Sequence, residues 1–281
     1  MLRSVRKVVD SNYLRTEDLR RYLASSPRHF AVLTDYAAME AYKGNTLSSI
    51  YRSMAVLAEY PKQVIVLKST QLACGVRPRF CRMSSLLVDK SQTKEFSQFC
   101  RHLDSARGGD VSLQNQLLAL GKEADVQMAR ISADAPRLQE GFDAVTKIFT
   151  KAELMTIRSG EPLTSDILKK VGSATLLLSA NLFRDHPETR NIPSAAALRQ
   201  TFIFRYALCA VILALRWISV GGIHKARPEK VRNDMVDVNF AAYATYFDGL
   251  LTHDRKLLDI YFESRVFLSR MFGLQHLDPA D

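Results

Sequence analysis

The sequence predicts an α/β fold in which a small parallel sheet is sandwiched by helices and carries a mostly α-helical insertion. Short apolar runs at 30–33, 64–67 and 249–251 are rich in β-branched or aliphatic residues and indicate buried strands. Apolar residues spaced three and four apart follow the first run, as expected of a helix. From about 91 to 224 the periodicity stays helical. Strands separated by helices favour parallel pairing.

The chain divides into four segments on this pattern. They are a basic N-terminal helical segment (1–28), the first part of the α/β domain (29–90), helical insertion or core helices (91–224) and the second part of the α/β domain (225–281). The first segment lacks the continuous apolar region of a signal peptide. A surface amphipathic helix and an arm that contacts a nucleic-acid backbone are both open interpretations of it.

Within the sandwich, periodic apolar residues predict a helix over 47–58 that ends before Pro61. The most apolar segment is 202–220. Arg205 and Arg216 interrupt it, and the uncharged run of ten residues between them is about half of the roughly 20 that a membrane span needs. We therefore predict a buried core helix, closed by the glycine pair that follows it.

The chain is strongly basic. Lys and Arg number 39 against 29 Asp and Glu, which gives a formal net charge of +10 and a pI of about 9.5. Such a balance favours a polyanionic partner, although it is not specific by itself. The four cysteines have no metal-knuckle spacing, and without an export signal we expect reduced thiols in the cytoplasm.

Acidic residues stand where the predicted strands end. Asp35 closes the first apolar run and Glu40 follows on the next helix, whereas Asp234 and Asp237 precede the last strand and Asp254 follows it. Ligands of open α/β sheets bind outside the carboxyl ends of the strands. Carboxylates that converge there repel each other, and a divalent cation offsets that repulsion most simply.

The order strand-Asp, helix-Glu and, much later, Asp-helix-strand-Thr-x-Asp resembles the PIN-domain nucleases. The resemblance covers about 29–70 and 225–270, and the segment between is far longer than the connection in a minimal member. It implies a PIN-like fold with Mg²⁺ or Mn²⁺ as the cofactor.

Carried over residue by residue, the resemblance assigns metal binding and catalysis to four acids. Asp35 matches the acid that ends the family's first strand, and Glu40 is the less secure second acid. Asp237 matches the acid that opens the helix before Thr-x-Asp, and Asp254 matches the last acid. Asp234 either replaces or supplements Asp237.

The function implied is that of a metal-dependent endonuclease that hydrolyses phosphodiester bonds, with RNA preferred to DNA. The family's habits suggest a toxin or an anti-phage effector. Lys225, Arg227, Lys230 and Arg232 precede the acidic motif and are expected to hold the nucleic-acid backbone, unless they form only a solvated loop. We expect a nucleic-acid partner and no membrane, and we leave open a homo-oligomer or an inhibitory or effector protein.

Plainer interpretations stand beside this one. Asp35 and Asp254 each precede a helical pattern and are good helix caps. Asp234 and Asp237 suit a first helical turn, where acids complement the helix dipole. A catalytically inactive PIN-like module that binds nucleic acid or protein, and a purely structural helical protein, are therefore the alternatives to a nuclease.

Overall fold

Four parallel strands form one sheet at the centre of the protein. The computed structural model describes residues 3–44, 46–77, 82–133, 135–187, 189, 192–222 and 227–272. The strands are β1 (Val5–Val9), β2 (His29–Leu33), β3 (Val64–Val66) and β4 (Gly249–Leu251). Their order is β3-β2-β1-β4, and every neighbouring pair is parallel. Val8 of β1 lies opposite Val32 of β2 on one side and Leu250 of β4 on the other.

Helices make up most of the remaining structure. In chain order they are α1 (Glu17–Ala24), α2 (Asp35–Tyr42), α3 (Leu47–Glu59), α4 (Thr70–Gly75), α5 (Met83–Leu86), α6 (Lys90–Arg107), α7 (Val111–Ala133), α8 (Ala135–Thr146), α9 (Lys151–Ser159), α10 (Ser165–Asp185), α11 (Ala195–Leu198), α12 (Phe202–Ser219), α13 (Pro228–Ala244) and α14 (Arg255–Phe272). Two short 3₁₀ helices occupy Ser11–Tyr13 and Pro61–Gln63. The prediction of an α/β protein with a small parallel sheet and a high helical content is confirmed.

The N-terminal segment differs from its prediction. Residues 1–28 were expected to be helical, but Val5–Val9 form β1, which lies between β2 and β4. Two basic side chains on this strand obscured it in the sequence. The Arg6 guanidinium lies 5.6 Å from the ring centroid of Phe247, and the Lys7 ammonium lies 5.4 Å from that of Tyr22. Their aliphatic stems thus cover apolar surface, which lets charged residues occupy a strand inside the fold.

Helix α12 is the core helix that the sequence predicted. Within the described residues it is the one helix long and apolar enough, by length and composition, to cross a membrane, yet 83% of it is buried inside the protein. It packs against α10, α13 and α14. Gly221 and Gly222 follow it with φ of 95° and 104°, left-handed conformations that glycine adopts without strain.

A buried arginine connects α12 to the end of α13. The Nη1 atom of Arg205 donates to the backbone oxygen of Thr245 at 2.6 Å and lies 3.1 Å from its Oγ1. Its guanidinium carbon lies 3.7 Å from the ring centroid of Tyr246. This arginine satisfies the carbonyl of Thr245, the residue that follows α13, and fixes the point from which the chain turns into β4.

Asp248 fastens the turn before β4 to β1. One carboxylate oxygen accepts the backbone N–H of Arg6 at 2.7 Å, and the other accepts the guanidinium of Arg3 at 2.7 Å. The backbone N–H of Asp248 in turn donates to the Arg6 carbonyl at 2.8 Å. The aspartate therefore extends the β1–β4 ladder by one side-chain bond.

We predict that Asp248→Ala destabilises the protein, because the half-buried N–H of Arg6 loses its acceptor. The expected loss in the free energy of unfolding is about 1–3 kcal/mol, measured by urea denaturation. Asp125→Ala, which truncates an exposed aspartate of α7, is the control and should leave the midpoint nearly unchanged. Equal midpoints for the two variants would contradict the role given to Asp248.

Candidate functional site

Five buried or half-buried carboxylates line one cavity at the carboxyl edge of the sheet, and the exposed Glu229 of α13 is a sixth carboxylate in its lining. Asp10 follows β1, Asp254 follows β4, Glu40 lies on α2, and Asp234 and Asp237 lie on α13. The cavity measures about 690 Å³. Because β1 and β4 are parallel neighbours, the residues that follow them emerge at the same edge. Four of the sequence-predicted acids, Glu40, Asp234, Asp237 and Asp254, are thus brought together.

Asp10 is the acid that the sequence analysis missed. It is 3% exposed. Its Oδ2 accepts the hydroxyl of Thr252 at 2.7 Å, and its Oδ1 lies 3.3 Å from the Ser11 hydroxyl, which also contacts the carboxylate of Glu40. The signal was present as a valine-rich run, 5–9, that ends in an aspartate, the same pattern that singled out Asp35.

Asp35 is not brought to this cavity. Asp35 follows β2, the second strand of the chain. The prediction that it ends the first strand is therefore wrong, and Asp10 holds that position. Its carboxylate accepts the backbone N–H of Thr70 at 2.6 Å, the Thr70 hydroxyl at 2.9 Å and the N–H of Tyr36 at 3.0 Å. Asp35 therefore ties the end of β2 to the start of α4.

A second cavity, of about 600 Å³, contains Asp35 on another face of α2. Its lining combines Ala38, Met39 and Tyr42 of α2 with residues of α7. Residues 35, 38, 39 and 42 have the three- and four-residue spacing of one helix face. Because Glu40 lies on a different face of the same helix, α2 separates Asp35 from the acidic cavity.

Asp254 combines a structural role with a place in the acidic cavity. Its Oδ1 accepts the backbone N–H of Leu257 at 3.0 Å, which caps the first turn of α14. Its own N–H donates to the Thr252 hydroxyl at 2.9 Å. The capping interpretation is therefore correct for Asp254, whereas α2 is capped by Thr34, which accepts the N–H of Ala37, and not by Asp35.

Asp234 and Asp237 do not lie in a first helical turn, since α13 begins at Pro228. The two carboxylates share one ammonium: Lys256 Nζ lies 2.6 Å from Asp237 Oδ2 and also contacts Asp234 Oδ1. The two acids, three residues apart, thus lie on one face of α13. Lys256 offsets part of the repulsion for which the sequence analysis invoked a divalent cation.

The four basic residues that precede the acidic motif do not all lie at the cavity. Arg227 and Lys230 line the acidic cavity, together with Lys43, which the sequence analysis did not single out. Arg232 lies on α13 and donates to the side-chain oxygen of Asn233 at 2.9 Å. Lys225 lies outside the described residues. The solvated-loop interpretation is wrong for Lys230 and Arg232, because both belong to α13.

Burial dominates the electrostatics of the acids. It raises the pKa of Asp237 to about 7; the ammonium of Lys256 opposes the rise, and the charges of Asp254 and Asp10 add to it. Burial also raises the pKa of Asp10 and that of Glu40. A buried carboxylate with a raised pKa is only partly compensated by its partners, and a bound cation would favour its charged form.

The donor set of the cavity suits a hard divalent cation. Its described lining supplies carboxylate and amide oxygens, the ligands that Mg²⁺ and Mn²⁺ prefer, and it contains no histidine or cysteine. Across the described residues, however, no group of three or more His, Cys, Asp or Glu side chains is already arranged as a metal cluster. Ser11, Thr252 and Lys256 hold the carboxylates instead.

Comparison with known proteins gives no relative from which a role for this cavity is transferred. No family model matches the chain, and no curated protein and no solved structure matches it. The site is therefore argued from its own geometry.

The raised pKa of Asp237 makes a prediction for the metal-free protein. The pKa of Asp237 is about 7 in the folded state and roughly 3.9 in the unfolded state. Its contribution to the free energy of unfolding is therefore largest below about pH 4. It is lost as the pH rises to about 7, with a slope of at most about one proton. Asp237→Asn lacks this loss, so it should gain stability relative to the wild type across that window.

Thermal unfolding in EDTA at several pH values measures this difference. The ion pair with Lys256 forms only where Asp237 is ionised, and its effect is already included in the pKa of Asp237, so it adds no separate slope. Parallel curves for wild type and variant between pH 4 and pH 7 would show that Asp237 is ionised throughout.

Proposed function

We propose that this protein is a PIN-like metal-dependent nuclease that hydrolyses phosphodiester bonds, with RNA as the preferred substrate. The observation that carries the proposal is the convergence of five carboxylates, from two strand ends and two helices, in one cavity at the carboxyl edge of a parallel sheet. The preference for RNA and a role as a toxin or anti-phage effector rest on the resemblance of the sequence motifs alone.

Mg²⁺ or Mn²⁺ is the proposed cofactor, held by Asp10, Glu40, Asp237 and Asp254, with Asp234 beside them. Such an ion lowers the pKa of the attacking water and stabilises charge on the leaving oxygen. Thr252 prepares the site for it, because its one hydroxyl donates to Asp10 and accepts from the N–H of Asp254. This bridge fixes the end of β1 against the end of β4 and orients two carboxylates without supplying charge.

Cations at the cavity wall supply the complementary half of a phosphodiester site. Lys43, Arg227 and Lys230 stand beside the acids. Arg227 and Lys230 are exposed, so they can reach a phosphate backbone that passes over the cavity. The Lys230 ammonium also lies 4.5 Å from the ring centroid of Trp217, which restrains it near this wall. These residues would hold the nucleic-acid backbone, while the ion held by the acids would act on one phosphate.

A catalytically inactive PIN-like module that binds nucleic acid or protein is the second candidate. It is favoured by the ion pairs of Lys256, which already neutralise part of the charge on Asp234 and Asp237. Such a module would still bind nucleic acid through its basic residues in a salt-dependent way, but it would not hydrolyse it. Cleavage of a labelled single-stranded RNA with and without Mn²⁺ separates the two candidates.

We predict that Asp10→Asn and Asp254→Asn each abolish Mn²⁺-dependent cleavage while the protein stays folded. Removing one of several converging carboxylates relieves repulsion, so the melting temperature without metal should hold or rise for Asp10→Asn. Asp35→Asn is the matched control: it removes a buried carboxylate from the same sheet edge but outside the acidic cavity. It should lower the melting temperature and keep cleavage.

The control decides which aspartate belongs to the centre. If Asp35→Asn loses cleavage with an unchanged melting temperature while Asp10→Asn stays active, the assignment of Asp10 in place of Asp35 is wrong. If the wild type itself cleaves neither RNA nor DNA with Mg²⁺ or Mn²⁺, the nuclease proposal fails as a whole.

We also predict that the double variant Arg227→Gln, Lys230→Gln binds single-stranded RNA more weakly and with a flatter salt dependence. Each phosphate contact removed should reduce the slope of log affinity against log salt by about 0.7. Fluorescence anisotropy in EDTA measures binding without cleavage. Lys169→Gln removes an exposed charge on α10 and is the control. A double variant with the wild-type slope would show that neither residue contacts phosphate.

A further inference from the structure

Lys256 places a positive charge inside the acidic cavity. Its Nζ atom lies 2.6 Å from Asp237 and in contact with Asp234, which is 2% exposed. A second ammonium, that of Lys230, approaches Asp234 only at 3.4 Å, and its side chain is 56% exposed against 31% for Lys256. Lys256 is thus the cation that bridges the two carboxylates of α13.

The other three acids are joined differently. Ser11 contacts both Asp10 and Glu40, and Thr252 links Asp10 to the backbone of Asp254. A hydroxyl carries no charge, so these bridges orient the carboxylates without neutralising them. Among the described residues the cavity therefore has two unlike halves: a pair of acids that a lysine bridges, and a group of three with no bridging cation, of which Glu40 feels the charges of Lys43 and Arg232.

We propose that Lys256 takes the place of the second metal ion, so that the centre binds one divalent cation per chain, held by Asp10, Glu40 and Asp254 together with Asp237, which Lys256 positions. This inference rests on the proposed function. In two-metal centres the ions stand about 3.5–4 Å apart and share carboxylates. The ammonium of Lys256 lies 2.6 Å from Asp237 and in contact with Asp234, where an ion held by the same two carboxylates at a metal–oxygen distance of about 2.0–2.6 Å would have to expel it. Lys256 is then a positioning residue, which holds Asp237 beside the ion.

Metal stoichiometry tests the inference without reference to cleavage. Native mass spectrometry and calorimetric titration with Mn²⁺ are carried out on wild type, Lys256→Met and Lys230→Met. We expect one Mn²⁺ for the wild type, two for Lys256→Met and one for Lys230→Met. The last variant is the matched control, since it removes the same charge from the same cavity without removing the bridge. Two ions in the wild type, or one in Lys256→Met, would overturn the inference.

A second measurement needs no variant and covers the case in which Lys256→Met does not fold. Acetylation of lysines in the wild type is followed by peptide mass spectrometry, with and without saturating Mn²⁺. Lys256 should stay protected in both conditions, whereas exposed Lys169 should react equally in both. If Mn²⁺ makes Lys256 reactive, the ion displaces the ammonium and the inference is wrong.

The failures of the two proposals are distinguishable. Cleavage that requires two bound ions leaves the nuclease proposal intact and removes the role of Lys256. A wild type that binds one Mn²⁺ but cleaves neither RNA nor DNA, beside a Lys256→Met that binds two ions, keeps the role of Lys256 and overturns the nuclease. Absence of Mn²⁺ from all variants overturns both.

Discussion

The crowding of carboxylates at one edge of the sheet is the constraint on which the rest of the structure depends. Burial already raises the pKa of Asp10, Glu40 and Asp237. A buried carboxylate without compensation costs free energy, and a fold that gathers five must hold them against their mutual repulsion. It does so with the hydroxyls of Ser11 and Thr252 and with the ammonium of Lys256. Nothing in packing alone requires this arrangement, and a functional site explains it best.

The helical part of the chain supplies the rigid support for that arrangement. Helix α13 carries two of the acids and packs against α12, which is buried along almost all of its length. Arg205 anchors the end of α13 through the Thr245 carbonyl, and Asp248 then fastens the next turn to β1. The positions of Asp237 and Asp254 relative to Asp10 are therefore set by contacts that lie outside the cavity.

Local pattern was enough to predict most elements but not their pairing. The strands at β2, β3 and β4 and the core helix α12 followed from short apolar runs and from hydrophobic periodicity. The strand β1 was missed because Arg6 and Lys7 interrupt its valines, and their stacking on Phe247 and Tyr22 is a tertiary effect. With β1 missed, the next strand became the first, and Asp35 received the position that belongs to Asp10. Lys256 was missed for a similar reason: its partners lie on another helix.

The position of Lys256 on α14 is itself informative. The N-terminal end of a helix carries a partial positive charge, so a cation in the first turn is disfavoured there. Lys256 is the second residue of α14, separated by Arg255 from the cap formed by Asp254. Its placement is reasonable only because Asp234 and Asp237 face it from α13. The acids thus hold a cation in a place where the helix terminus disfavours it.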